Sequence, residues 1–134
     1  MALWWIGGAR AMLRDALCAK IHRATVTACE PDYVGSLTVD ADLMDACGMR
    51  ANERVLVADV TSGSRFETYL FRGKRGSGVV CVNGAAARLS GIGHLIIVMT
   101  FCHLTPEEFA THRPKVVLPT PENRVGRVIE YAAE

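Results

Sequence analysis

Short apolar segments separated by turn residues recur along this chain, and they limit its possible folds more than any other feature. The segments "RVLVADV" and "RFETYLF" are rich in β-branched and aromatic residues, and the turn "TSGS" separates them. This arrangement predicts a β-hairpin. Further strands are predicted at "AKIHRATVTA", "VVCVN", "HLIIVMTF" and "KVVLP". Many short strands with intervening turn signals favour a small β-barrel.

Only two short helices are predicted between these strands. The first covers "VDADLMDACGM", where Asp40 can cap the first turn and Gly48 can end the helix. The second covers Pro106–His112, because "TPEE" resembles a capping box with proline at the first helical position. The glycine-rich "GKRGSG" lacks the full spacing of a phosphate-binding loop and is interpreted as a hairpin loop.

The two ends of the chain are predicted to differ from the central barrel domain, which is assigned to residues 12–119. Residues 1–11 are interpreted as a disordered N-terminal extension, since Met12 is a plausible alternative start. Residues 120–134 are expected to form a C-terminal tail that is loosely ordered beyond Pro121. Within "AKIHRATVTA", loose alternation predicts one shared strand face; its members are Lys20, His22, Ala24 and Val26.

Composition excludes several classes of function. The net charge is +1 without a dense Lys/Arg run, which argues against a nucleic-acid surface. The five cysteines are scattered and form no CxxC pair, so we expect reduced thiols in a cytoplasmic protein and no metal site. The most apolar run, "HLIIVMTFCHL", is far shorter than the roughly 20 residues that span a bilayer.

The Gly35-Ser36 bond in "PDYVGSLTVD" allows two interpretations. On its own, a Gly-Ser pair in such a segment is most simply a turn. The alternative is self-cleavage, in which Ser36 Oγ attacks the Gly35 carbonyl of a strained peptide to form an ester. Elimination and hydrolysis then leave a pyruvoyl group on residue 36, an electrophilic ketone that can condense with an amine.

The strand "RFETY" carries two further candidate residues. Strand alternation places Arg65, Glu67 and Tyr69 on one face, while Thr68 points to the other unless the strand twists or bulges. A guanidinium can bind a carboxylate through two hydrogen bonds, and a phenol can donate a proton. Taken alone, this pair is more simply explained as a solvated arginine and a tyrosine at the rim of the sheet.

Two other candidates carry little signal by themselves. In "VNGAAA" the Asn-Gly pair is typical of a turn, although the small residues after it would let a ligand approach the backbone. Lys20 and His22 are unremarkable strand residues when they are considered alone.

Five separated motifs, in this order and spacing, resemble the pyruvoyl-dependent L-aspartate α-decarboxylase family. The motifs are "AKIHRATVT", "YVGSLTVDADLMDA", "VTSGSRFETY", "RGSGVVCVNGAAARL" and "GHLIIVMTF". The resemblance covers most of the chain from Met12 to Pro119 and implies a mainly β fold, a small double-psi β-barrel with short helices. It also implies a cytoplasmic homotetramer that converts L-aspartate to β-alanine for pantothenate synthesis, with a possible maturation factor and no nucleic-acid or membrane partner.

The resemblance also assigns roles to individual residues. The family's cleaved bond falls on Gly35-Ser36, so Ser36 would become the catalytic pyruvoyl group that forms a Schiff base with the substrate. The proton donor falls on Tyr69. The substrate-binding positions are Lys20, Arg65, Thr68, Asn83, Gly84, Ala85 and Ala86, and the supporting positions are His22 and Tyr33.

Some features depart from the family pattern, and other functions stay open. His94 stands where an acid is expected, and "THRP" lacks the expected aromatic residue. One alternative function is a double-psi barrel that binds a partner and is never cleaved. Another is an N-terminal hydrolase that uses Ser36 as a free serine nucleophile. The masses of the denatured chain would separate an intact module from a cleaved enzyme.

Overall fold

The structure is a computed structural model that describes residues 12–133, so the predicted extension over residues 1–11 lies outside the described residues. The strands are β1 (Arg14–Thr25), β2 (Ala28–Glu30), β3 (Ser36–Asp40), β4 (Arg54–Asp59), β5 (Arg65–Gly73), β6 (Val80–Asn83), β7 (Leu95–Leu104), β8 (Lys115–Pro119) and β9 (Val125–Glu130). The helices are α1 (Ala41–Cys47), α2 (Pro106–Thr111) and a 3-10 helix (Gly84–Leu89). Within residues 12–133, none of the helices has the length and apolar character needed to cross a membrane.

All of these strands belong to one sheet, in the order β2-β6-β3-β5-β4-β7-β1-β8-β9. A mainly β, barrel-like fold with a few short helices is thereby confirmed. The predicted β4–β5 hairpin is also confirmed, with Ala58 opposite Arg65 at its turn. The interpretation of "GKRGSG" as a hairpin loop is wrong, because β5 and β6 lie on either side of β3 and do not pair with each other.

The core lies on one face of the sheet and follows a row of aligned residues across five strands. Phe66 on β5 is opposite Val57 on β4, which is opposite Val98 on β7. The row continues through Ile21 on β1 to Val117 on β8. Every member is at most 9% exposed. Burial of each such side chain is worth roughly 1.5–3 kcal/mol, so this row fixes which face of these five strands points outward.

Helix α1 begins and ends as predicted. Asp40 accepts a hydrogen bond from the backbone N–H of Asp42 at 2.8 Å, and Gly48 ends the helix in the left-handed region with a φ of 77°. Helix α2 has the predicted capping box, in which the side chains of Thr105 and Glu108 each bind the other residue's backbone N–H. Each cap satisfies backbone donors that a helix end leaves unpaired.

Strand β1 does not keep the predicted shared face. Its pairing with β7 shifts register between His22 and Ala24, and Arg23 has a φ of 70°. A β-bulge inserts one extra residue and therefore reverses the alternation that follows it. Lys20 and His22 consequently stay on the outer face and are half-buried, whereas Ala24 and Val26 turn into the core at 1% exposed.

The expectation of a loosely ordered segment beyond Pro121 is wrong. Strand β9 pairs antiparallel with β8, and the turn before it contains Asn123, which is 1% exposed. The Asn123 amide binds both backbone groups of Thr25, at 2.9 and 2.8 Å, and the carbonyl of Gly78 at 2.8 Å. These bonds join the end of β1 to the loop before β6, so this turn is part of the folded domain.

Candidate functional site

Ser36 is the first residue of β3 and lies between two neighbouring strands. On one side it is aligned with Asn83 at the end of β6. On the other side, Leu37 is aligned with Leu70 of the parallel strand β5, so continuing this register backwards places Ser36 level with Tyr69. Because Leu37 and Leu70 face the core, the side chains of Ser36 and Tyr69 share the opposite face. Ser36 is nevertheless 0% exposed.

A buried amide holds the Ser36 side chain. Asn83 is 4% exposed, and its Nδ2 donates to Ser36 Oγ at 3.0 Å and to Thr38 Oγ1 at 3.1 Å. The Cys81 thiol donates to Asn83 Oδ1 at 3.2 Å. The Ser36 oxygen is therefore an acceptor in this network, and its hydroxyl hydrogen is not used in the bond to Asn83.

Gly84 comes close to the Gly35-Ser36 bond from the other side. It has a φ of +76°, and a Cβ atom built on it would lie 2.6 Å from Gly35 Cα and 2.9 Å from Gly35 N. Both the left-handed backbone and the close approach require glycine at this position. At Gly35, by contrast, φ lies outside the left-handed region and a Cβ would meet nothing within 4 Å. The left-handed backbone that requires glycine therefore lies at Gly84 rather than at Gly35.

The side chains of β5 lie on the predicted faces. Arg65 and Glu67 are exposed on the same side as Tyr69, which is 36% exposed and makes an edge-to-face contact with Phe71, with 5.4 Å between ring centroids. Thr68 is half-buried on the other side. The β4–β5 register runs through Thr68 without a shift, so the bulge needed to turn it toward Tyr69 is not present.

Lys20 and His22 lie far from Ser36 within one chain. Strand β1 is three strands from β5 in the sheet order, and the aligned rows join Lys20 to Glu67 and His22 to Arg65 through β7 and β4. Three strand spacings amount to about 14 Å along the sheet. One chain therefore brings Ser36, Asn83, Gly84 and Tyr69 together but does not bring the two β1 residues to them.

The β1 side chains have their own environment. Lys20 Nζ lies 5.0 Å from the centroid of the Tyr131 ring, a cation–π distance. His22 Nδ1 is buried without a hydrogen-bond partner among the described residues. Burial lowers the pKa of His22, and the positive charges of Lys20 and Arg23 lower it further. The imidazole therefore favours its neutral form, and one of its ring nitrogens is buried without a hydrogen bond to the described residues.

The remaining predicted positions are the small residues after Asn83 and the tyrosine before the Gly-Ser bond. Gly84, Ala85 and Ala86 begin the 3-10 helix that follows β6, where Ala85 is exposed and Ala86 is half-buried. Tyr33 is 62% exposed, and its carbonyl oxygen is 3.3 Å from the Cβ position built on Gly84. Of these residues, Gly84 and the Tyr33 carbonyl lie close to each other beside Gly35, whereas Ala86 packs against the core.

The family model described as aspartate decarboxylase matches residues 12–126. The chain belongs to this family. A relative from Neisseria meningitidis, named aspartate 1-decarboxylase, is 52% identical over 120 residues, covering 90% of this chain and 94% of the relative. Relatives of the same name from Caldicellulosiruptor saccharolyticus and Clostridium acetobutylicum are 51% and 49% identical over 117 residues. Those matches cover 87% of this chain and 91% and 92% of the two relatives, respectively.

Two residues of the Ser36 network, Thr38 and Cys81, were missed by the sequence analysis. The signal was present, because Thr38 lies two positions after Ser36, and Cys81 lies two positions before Asn83. A period of two places each pair on one face of its strand. The antiparallel pairing of β3 with β6, which aligns Thr38 with Cys81, supplies the missing long-range information.

His94, which stands where the family pattern has an acid, binds the carboxylate of Asp59. Asp59 is 2% exposed and binds His94 Nδ1 at 2.8 Å, Ser90 Oγ at 2.7 Å and the Ser62 backbone N–H at 2.8 Å. Burial opposes ionisation of Asp59, but these bonds and the charge of His94 outweigh it and lower its pKa. The cluster ties the segment before β7 to the β4–β5 turn.

An open groove of about 330 Å³ lies on the outer face of the sheet. Its lining includes Arg54, Glu67, Phe101 and His103, with Arg54 and Glu67 paired at 2.6 Å. Ser36, Arg65 and Tyr69 are not among its lining residues. Within residues 12–133, no cluster of three or more His, Cys, Asp or Glu side chains has the arrangement of a metal site.

Proposed function

We propose that this chain removes the α-carboxylate of L-aspartate to give β-alanine and CO2, a step that serves pantothenate and coenzyme A synthesis. The observation that carries the proposal is its similarity to relatives named aspartate 1-decarboxylase. Three of them are 49–52% identical over at least 87% of the chain. The aligned segment includes Ser36 and the β5 and β6 residues around it. A cytoplasmic location belongs to the same proposal.

The chain would first cleave itself between Gly35 and Ser36. Ser36 Oγ bonds to the Gly35 carbonyl carbon as the C–N bond breaks, and the hydroxyl hydrogen passes to the Ser36 nitrogen. Loss of the Ser36 Cα hydrogen and breakage of Cβ–Oγ then free a carboxylate on Gly35. Water replaces the nitrogen on residue 36 as ammonia, which leaves a pyruvoyl group. The buried Ser36 and the hydrogen bond from Asn83 support this proposal.

The donor beside Ser36 fits a small carbonyl group at this position, because Asn83 Nδ2, 3.0 Å from Ser36 Oγ, can donate to a carbonyl oxygen. Gly84 packs so closely against Gly35 that a methyl group on it would lie 2.6 Å from Gly35 Cα. When present, the pyruvoyl ketone takes up the substrate amine and draws electrons from the bond to the α-carboxylate. Thr68, which the β3 register places level with Gly35, would support cleavage.

The chain's own residues would bind the substrate and deliver a proton. Arg65 can bind a carboxylate through two hydrogen bonds, and Lys20 supplies a second positive charge. Tyr69 shares the face of Ser36 and would protonate the substrate carbon after CO2 has left. Asn83, Gly84, Ala85 and Ala86 would line the site, with His22 and Tyr33 in supporting positions.

A homotetramer is part of the proposal because one chain does not assemble these groups. Lys20 lies about 14 Å along the sheet from the residues of β5. A second copy that packs on the outer face of the sheet would bring β1 of one chain to Ser36 of another. A maturation factor would act on the Gly35-Ser36 bond before it is cleaved.

Mass spectrometry of the denatured protein tests the proposal together with a product assay. We expect a short chain that ends at Gly35 and a long chain that begins with pyruvoyl at position 36. We also expect β-alanine and CO2 from L-aspartate and no CO2 from neutral amino acids. One intact chain without decarboxylase activity would favour the non-catalytic binding module. A long chain with a free serine amine would favour the hydrolase.

Substrate choice gives a second measurement. Arg65→Lys keeps the charge but loses the planar fork of donors, so we expect kcat/KM for L-aspartate to fall about tenfold or more, about 1.4 kcal/mol. Cleavage should be unchanged, because Arg65 lies four positions from Tyr69 along an exposed face of β5. Wild-type kcat/KM in this variant would remove Arg65 from the substrate site.

A further inference from the structure

The Asn83 amide is held from three sides by residues of β3 and β6. Ser36 and Thr38 accept hydrogen bonds from its nitrogen, and Cys81 donates to its oxygen. The four side chains form two aligned pairs of the antiparallel ladder, Ser36 with Asn83 and Thr38 with Cys81. Both donor hydrogens and the oxygen of the amide therefore have partners within one face of the sheet.

We infer that Cys81 and Thr38 are positioning residues that keep the Asn83 nitrogen, rather than its oxygen, directed at Ser36 Oγ. In this orientation Ser36 accepts a hydrogen bond and retains its own hydrogen for transfer. The inference rests on the proposed cleavage of Gly35-Ser36. It adds the side chains that would set the orientation of the attacking oxygen.

The opposite orientation of the amide would oppose cleavage. Rotation by 180° would direct Oδ1 at Ser36 and Thr38, and the Ser36 hydroxyl would then donate its hydrogen to an amide oxygen. In the attack, the Oγ–C bond forms as the C–N bond breaks, and that hydrogen must reach the Ser36 nitrogen. Rotation would also turn Nδ2 toward the Cys81 sulfur, which is a weak acceptor.

The state of the Cys81 thiol supports a donor role. Cys81 is 9% exposed, and burial raises its pKa, with the nearby Glu30 and Cys29 raising it further. The thiol therefore keeps its hydrogen at neutral pH and can donate to Asn83 Oδ1. Thr38 complements it by accepting the second Nδ2 hydrogen at 3.1 Å.

The inference is tested by the rate at which the newly synthesised full chain is cleaved. Mass spectrometry under denaturing conditions measures this rate. We expect Cys81→Ala to slow cleavage at least about threefold, the size of one modest hydrogen bond, and Cys81→Ser to restore it to within about twofold of wild type. Cys29→Ala is the matched control, because this half-buried thiol lies near Cys81 but outside the network. It should cleave at the wild-type rate.

A double-mutant cycle separates positioning from a general loss of packing. If Cys81 acts through Asn83, Cys81→Ala should have no further effect in an Asn83→Ala background. The same holds for Thr38→Val, while Thr38→Ser should cleave like wild type. Additive slowing in the double variants, or slowing that Cys81→Ser fails to relieve while the unfolding temperature drops, would overturn the inference.

The outcomes also distinguish this inference from the proposed function. If the wild-type chain is cleaved and Cys81→Ala is cleaved at the same rate, the positioning role alone would be overturned. An uncleaved wild-type chain would overturn the proposed function and this inference with it.

Discussion

The two ends of β3 each bury a polar side chain, and they satisfy it in different ways. Asp40, at the end of the strand, is 0% exposed and accepts from the backbone N–H groups of Asp42, Gly76 and Gly78 at 2.8, 3.1 and 2.7 Å. Ser36, at the start, is equally buried but receives its hydrogen bond from the side chain of Asn83. Backbone donors are fixed by the fold, whereas a side-chain amide can be reoriented.

This difference separates a structural end of β3, at Asp40, from the end at which cleavage is proposed, at Ser36. Burial opposes ionisation of Asp40, but the N–H groups of Gly78, Asp42 and Gly76, with Arg124 nearby, outweigh it and lower its pKa. The loop "GKRGSG", which weakly resembles a phosphate-binding loop, thus binds a carboxylate of its own chain. At the other end Ser36 keeps a hydroxyl hydrogen and a neighbouring peptide bond, which are the groups that cleavage needs.

The largest expected effect comes from removing the oxygen that is proposed to attack Gly35. Ser36→Ala deletes the attacking oxygen and should leave an intact, inactive chain with an unfolding temperature close to that of wild type, since β3 keeps its register. Mass spectrometry and thermal unfolding measure the two properties. Normal fragments from this variant would disprove self-cleavage by Ser36.

The next largest effect is expected at Tyr69, level with Ser36 on β5. Tyr69→Phe keeps the ring and its contact with Phe71 but loses the phenolic donor. We expect normal cleavage and decarboxylation at least about a hundredfold slower, within the usual range for general acid catalysis. The test measures both rates in the same preparation. Full decarboxylation would mean that the proton comes from water or from another group.

Local sequence signals predicted the elements whose determinants lie close together along the chain. The α2 capping box and the Asp40 cap of α1 each involve residues two or three positions apart. The bulge at Arg23 and the strand β9 were not predictable in this way. Asn123 binds Thr25 across 98 positions, and no local pattern contains that contact.

The candidate site shows the same division. Alternation in "RFETY" correctly separated Tyr69 from Thr68, because it depends only on neighbouring residues. The contact between Ser36 and Asn83 spans 47 positions and depends on strand order. Only the order and spacing of five motifs, through the family resemblance, assigned Ser36 and Asn83 to one site. Even that resemblance left Thr38 and Cys81 unassigned.

A smaller effect, on stability rather than on reaction, is expected at the structural end of β3. Asp40→Asn replaces one acceptor oxygen by an NH2 group that faces N–H donors, so we expect the free energy of unfolding to fall by about 2 kcal/mol. Cleavage should proceed normally below the unfolding temperature. Denaturant unfolding of uncleaved Ser36→Ala protein, with and without the Asp40 change, gives the stability difference without interference from cleavage. An equal stability in both proteins would mean that the three N–H bonds contribute nothing net.

The smallest expected effect is the pH dependence of that difference. The folded-state pKa of Asp40 lies below its unfolded value of about 3.9. Its contribution is therefore fully present above about pH 4 and is lost as pH falls through the folded pKa. At low pH Asp40 is protonated and, like asparagine, carries no charge. The stability difference between the Ser36→Ala protein and the Ser36→Ala/Asp40→Asn protein should therefore be constant from about pH 7 to pH 5 and should narrow below about pH 4.

Asp59, Asp45 and Glu67 also have lowered pKa values, but they are common to both proteins and cancel in the difference. A difference that stays constant down to acid unfolding would show that hydrogen-bond geometry, not the charge of Asp40, stabilises this end of β3.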